Sequence, residues 1–264
     1  QQKAFEFLSE DNSLHNDLLV ATHLQFGYDI SEDMFSKVEA LHNQSIIQHY
    51  GNYVNSCNAE QLKNFYIEAT ETASNDELKV FIAKHYSNFL LDGNAYHEVE
   101  QLMRSLKDKA ISPEAQNALD TQLALALMAQ LQLPYKNDKL KEISELFHKG
   151  INFYEAKKQK VNAGLLYVDA SEIANFQNDH ITSKELINKA ILIFKEADIP
   201  EFLGEAGLRK ATLLYTWSKN GSPQYYKPAI NAFQDTLKVF KRDTHPQKFA
   251  DVHHNLALIY SEIG

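Results

Sequence analysis

A ten-residue pattern recurs along this chain at nearly constant distance. Glu145 to Tyr154 aligns without a gap on Glu185 to Phe194, forty residues later, and the pattern returns forty-six residues further on as Asn231 to Phe240. Each copy sets down a bulky residue (Phe147, Ile187, Phe233), a small one three places later (Gly150, Ala190, Thr236) and an aromatic four places beyond that (Tyr154, Phe194, Phe240). Steps of three and four put these residues on one stripe of an α-helix. A period of this length is the mark of a repeat architecture, in which each unit buries its apolar face against its neighbours.

A second kind of helix alternates with the first. Leu165 to Phe176 has small residues at Ala170, Ser171 and Ala174; Leu208 to Trp217 has Ala211 and Thr212 with Tyr215; Ala250 to Ile263 has Leu256, Ala257 and Tyr260. Small residues at fixed points let antiparallel helices approach closely, and aromatic residues fill the space between successive pairs. Composition agrees, because the chain holds only 9 Gly and 6 Pro, as expected of helices joined by short turns.

Upstream, helical spacing persists without the signature, through Leu62, Phe65, Tyr66, Ala69 and Ala73, then Leu78, Phe81, Ile82 and Phe89, then Tyr96, Val99, Leu102, Met103 and Leu106. Ser112-Pro113 and Ser222-Pro223 read as N-cap and first-position pairs, Asp179 as a cap, Pro228 as lying near a helix start, and Asp92-Gly93-Asn94 as a break between helices. No strand-like alternation competes. The expectation is an all-α helical solenoid of antiparallel pairs with about eleven to thirteen helices. It divides into a divergent segment at 1–110 and repeats at 111–264, the last incomplete. Because the chain opens on Gln1 and stops at Gly264 in mid-pattern, a piece of a longer or processed protein is expected.

Within 163–197, Ser171, Ala174, Ser183, Ile187 and Ala190 fall at small, medium and bulky positions that resemble the tetratricopeptide repeat. Pro228 to Phe233 through Leu237, then His245-Pro246, Ala250 and Asn255 to Tyr260, resembles the longer-repeat variety found in kinesin light chains and bacterial repeat proteins. No copy carries the family's Trp and Gly together in its first helix. The resemblance implies a right-handed solenoid whose concave groove is lined by the first helix of each pair and takes a peptide or a partner helix. The positions it implies for that groove are Asp251, His254, Asn255 and Leu258, then Arg209, Lys210 and Leu213, then Asp169, Glu172 and Asn175. Asn255 stands first among them, since an amide both donates to and accepts from a peptide bond; bridging to the next helix is its structural alternative.

Catalytic motifs are missing. The chain has no GxSxG, GxGxxG or GxxxxGK[ST], and its single cysteine, Cys57, reads as a core residue. Adjacent His253 and His254 diverge on a helix, and neither His42 and His49 nor His15 and His23 are spaced for one ion, so no metal and no cofactor is expected. Lys157-Lys158-Gln159-Lys160 and the lysines of 136–141 read as cations at helix ends or in a loop. Trp217, Tyr225 and Tyr226 read as packing between pairs, with an exposed anchor for a partner as the alternative.

The net charge of −9 opposes nucleic-acid binding. It is concentrated in residues 1–75, which hold 11 Asp/Glu against 3 Lys/Arg. No apolar run approaches the ~18 residues of a membrane span, so no membrane insertion is expected. A cytoplasmic location is, with a processed secreted or periplasmic form left open. The functional expectation is a non-enzymatic adaptor or scaffold for protein–protein interaction. The alternative is a sensory or regulatory segment of a larger signalling protein or transcription regulator. The unfinished last repeat leaves an apolar helix face that further chain could cap or through which copies of the chain could pair.

Overall fold

A computed structural model describes residues 59–73, 75–110 and 112–263. Cys57, the histidines His15, His23, His42 and His49, and most of the acidic N-terminal surplus lie outside the described residues. Among the described residues there are ten α-helices and no strand, and no helix is long and apolar enough to cross a membrane. The chain divides into two compact units between Gln130 and Leu131.

The first unit contains α1 (Ala59–Thr72), α2 (Asp76–Asp92), α3 (Tyr96–Ser105), a 3-10 turn (Lys107–Lys109) and α4 (Pro113–Ala129). Ser112 caps α4, its hydroxyl accepting the Ala115 N–H at 3.0 Å while donating to Glu77 of α2. Eleven residues further along each helix, or nearly so, the Gln122 side chain donates to Asn88 at 3.0 Å. The near-constant offset makes α2 and α4 parallel neighbours. Because α4 packs on both α2 and α3, it belongs to this unit, and the division falls after it rather than before it. Tyr66 stacks on Tyr86 at 5.3 Å across α1 and α2, over a core of Val80, Ala83, Leu90, Val99 and Met103.

The second unit contains α5 (Asn137–Ala156), α6 (Lys160–Phe176), α7 (His180–Glu196), α8 (Pro200–Lys219), a 3-10 turn (Pro223–Tyr225), α9 (Tyr226–Thr236) and α10 (Pro246–Ile263). Each helix packs on the next, and α6 also touches α8. The consensus-like positions are interior. Ser171, Ala174, Ser183, Ile187 and Ala190 are all buried, as are Ala211, Leu214, Ala229, Phe233 and Thr236 at the same register in the following pair. Ser183 donates its hydroxyl to the Ser171 carbonyl at 2.7 Å, so α6 and α7 meet at their small residues.

The turns explain the shortage of glycine. Asn94, Lys158, Asn178 and Asp198 follow helix ends with φ of 59°, 58°, 61° and 53°, the left-handed conformation that glycine usually fills. After each, the next N–H reaches back across the last helical turn: Ala95 to Leu90, Gln159 to Tyr154, Asp179 to Ala174 and Ile199 to Phe194, at 2.8 to 3.1 Å. Asp179 then caps α7 by accepting the Thr182 N–H at 3.0 Å, which holds its carboxyl below the usual range. One punctuation signal works differently than the sequence implies. Ser222-Pro223 opens the 3-10 turn without a side-chain cap, and α9 begins only at Tyr226.

Candidate interaction surface

Helices α6, α8 and α10 share one register. Asp169, Arg209 and Asn255 occupy equivalent positions in them, separated by the forty and forty-six residues that separate the repeats. Between α6 and α8 the charges meet. The Arg209 guanidinium forms an ion pair with Glu172, and both side chains are half-buried. Asp169 lies one turn before Glu172 on the same face of α6. Burial pushes its carboxyl up to about 6, against the pull of Arg209 and with the repulsion of Glu172. Both carboxylates thus feel one guanidinium, Glu172 through the ion pair and Asp169 through its field, and burial holds Asp169 above the usual carboxylate range.

One turn further, Asn175 accepts the indole N–H of Trp217 at 2.6 Å. Trp217 is 1% exposed, stacks on His180 at 4.8 Å and meets Tyr225 edge-on at 5.3 Å. The aromatic cluster is therefore a packed junction of α6, α7 and α8 at Trp217, with Tyr225 half-buried at its margin. Lys210 is half-buried, and desolvation with nearby Lys184 lowers its amine below the ordinary lysine value while Asp235 opposes the shift. Leu213 is 4% exposed and belongs to the core.

On α10, Asp251 and His254 are exposed and Leu258 is 39% exposed. Asn255 is half-buried, and its amide donates to the Asp251 carbonyl at 2.8 Å, one turn back on its own helix. The structure thus brings Asp169, Glu172 and Arg209 together and ties Asn175 to Trp217. The four α10 positions stand as a separate group, with no hydrogen bond or ion pair to that cluster among the described residues.

Two polar links join α8 to α10 that spacing alone did not reveal. Glu205 pairs with Lys248 at 2.9 Å. Glu262 accepts from the Tyr215 hydroxyl at 2.8 Å and from Tyr226 at 3.2 Å, with Lys219 at 3.4 Å. Burial and this bond push Tyr215 up to about 12, and the same donors hold Glu262 below the usual carboxylate range. Glu205 lies four residues, one helical turn, before Arg209 on α8, and nothing in the repeat spacing marks its partner Lys248. Among the described residues, no group of three or more His, Cys, Asp or Glu side chains is placed to hold a metal ion.

No protein-family model matches the chain, and no curated protein is similar to it.

Proposed function

We propose that the second unit is a tetratricopeptide-like, right-handed helical-repeat module that acts without catalysis, binding a peptide segment or a partner helix along the face formed by α6, α8 and α10. The observation that carries this reading is the shared register of Asp169, Arg209 and Asn255 on three helices of the same kind, above small residues buried in the same order in two successive pairs. Such a face repeats polar groups at intervals suited to an extended chain, and helical solenoids use their inner helices in this way. Asn255 contributes an amide whose only bond among the described residues is to its own helix, so it can exchange that bond for one to a ligand backbone.

The test is selection of a displayed peptide library on the intact protein. Affinities of an enriched peptide are then measured by calorimetry for wild type, Asn255→Ala and Arg209→Gln. Each substitution is expected to weaken binding several-fold while the melting curve keeps its shape. Equal affinity in all three proteins sinks the assignment of this face.

A further inference from the structure

Asp169 carries an enclosed carboxyl without a partner. Burial is the strongest influence on it, yet neither of its oxygens takes a hydrogen bond or an ion pair from a described residue. Glu172, one turn along α6, gives Oε2 to the Arg209 guanidinium, and its other oxygen accepts no hydrogen bond among the described residues. Arg209 thereby holds Glu172 in place beside Asp169. Both oxygens of Asp169 and Oε1 of Glu172 remain as acceptors on one side of the helix. An enclosed carboxylate left unpaired costs stability, and a cation supplied from outside the fold removes that cost.

Charge along α6, α8 and α10 favours such a ligand. Arg209, Lys219 and Lys248 are already engaged, with Glu172, Glu262 and Glu205. Asp169 and Asp251 have no ion pair among the described residues, so the unmatched carboxylates give the face an excess of negative charge. The acceptors left at Asp169 and Glu172 equal in number the three donors of a primary ammonium. A guanidinium is flat and larger, and would come edge to edge with Arg209.

We propose that Asp169 and Glu172 form a subsite for a lysine side chain of the bound peptide, the ammonium seated between the two carboxylates. The proposal rests on the reading of α6, α8 and α10 as a peptide-binding face and names the chemistry of one ligand position. It has a protonic signature. In the free protein burial holds Asp169 at about 6, and the charges that act on it are Glu172 on its own helix and Arg209 on α8. On α5 and α7, the other helices packed on α6, Glu155 and Lys189 meet the ring side of Tyr167, which points away from Asp169 around the helix. A seated ammonium favours the ionised carboxylate and lowers its midpoint. Binding near pH 6 therefore releases a proton, and binding at pH 8 does not.

The probe is Nα-acetyl-lysine amide, with Nα-acetyl-norleucine amide, which keeps the stem and lacks the ammonium, as control. The intact protein is labelled with 13C at the aspartate carboxyls, and the resonance that Asp169→Asn removes is titrated with each compound at about 50 mM and equal ionic strength, a concentration suited to millimolar affinity. The lysine amide is expected to lower the Asp169 midpoint by about half a pH unit or more, and the norleucine amide to leave it unchanged. Equal midpoints with the two compounds overturn the proposal.

Peptides selected on the intact protein separate this subsite from the groove itself. Replacing the shared lysine of an enriched peptide by norleucine should weaken binding to wild type about tenfold, and weaken binding to Asp169→Asn far less. Enriched peptides that lose affinity with Asn255→Ala but share no lysine overturn the subsite and leave the groove standing. Peptides indifferent to Asn255→Ala that still need both their lysine and Asp169 support the subsite and overturn the groove.

Discussion

The ring of Phe194 rests directly on Gly164. A Cβ placed on the glycine would stand 2.8 Å from Cε1 of the ring and 3.2 Å from Cγ2 of Ile193, closer than carbon atoms approach without displacement. Phe194 is 1% exposed. Gly204 under Phe240 is the same arrangement one repeat later. A glycine inside a helix ordinarily costs about 1 kcal/mol relative to alanine, so its presence here reflects the closeness of the helices.

Gly164→Ala is therefore expected to lower stability, because an overpacking penalty of about 1–3 kcal/mol outweighs the helix-propensity gain of about 1 kcal/mol. Gly207→Ala, also in α8, is the control: its added carbon meets only Thr236 Cγ2 at 3.2 Å, and the variant should be neutral or slightly stabilised. Urea unfolding midpoints measure both. Equal destabilisation at the two sites would show that close approach is not the cause.

Lys158 holds φ at 58° after α5, a conformation that strains any residue with a Cβ and that lysine, unlike asparagine, does not offset with a short polar side chain. Lys158→Gly is expected to stabilise the protein by about 0.5–1 kcal/mol, relief of strain exceeding the greater freedom glycine has when unfolded. The Gln159 N–H bond to the Tyr154 carbonyl at 2.8 Å should persist in the variant. Thermal melting of Lys158→Gly beside Asn178→Gly measures the difference, with the larger gain expected at the lysine.

The helical class and the repeat register were readable because both rest on spacing along one helix. Ile187, Ala190 and Phe194 form a stripe whatever lies opposite, and Asp179 and Ser112 cap helices through their own neighbours. What the sequence did not disclose depends on how adjacent helices superpose. Leu213 looked available to a ligand, but the turn of α8 that carries it faces inward. The Glu172–Arg209 pair and the Glu205–Lys248 pair join residues thirty-seven and forty-three apart, and nothing local marks them. Ser222-Pro223 matches a cap by type, yet the chain first makes a 3-10 turn there, with Tyr225 packed edge-on against Trp217.

Trp217 is the single tryptophan of the chain, so its fluorescence reports one site. Its indole N–H has Asn175 as acceptor at 2.6 Å, and Trp217 itself is 1% exposed. Asn175→Ala leaves that donor buried and unpaired, which costs about 1–3 kcal/mol. The expected result is a lower urea midpoint followed by tryptophan emission, with a native emission spectrum close to that of wild type. Unchanged stability would mean that the bond contributes nothing net.

Two buried groups give the two units opposite responses to acid. Asp169 in the second unit has its carboxyl raised from 3.8 to about 6 by burial, so between pH 4 and 6 the folded state binds more protons than the unfolded chain. Its contribution is therefore unfavourable at neutral pH and fades as pH falls through that window. His85 in the first unit is the converse. Both ring nitrogens are buried without a hydrogen-bond partner among the described residues, its ring meets Phe81 at 4.4 Å, and burial with nearby Lys84 lowers it from 6.5 to about 4. The unfolded chain then binds the extra proton, and stability is lost as pH falls from 6.5 toward 4. Asp169→Asn should raise stability at pH 7.5 by about 2 kcal/mol and give no gain near pH 4. His85→Phe should change little at pH 7.5 but protect the protein at pH 5, where wild type has lost part of its stability. Melting curves of the three proteins at pH 4, 5 and 7.5 separate the effects; parallel pH profiles for Asp169→Asn and wild type would refute the buried-carboxylate account.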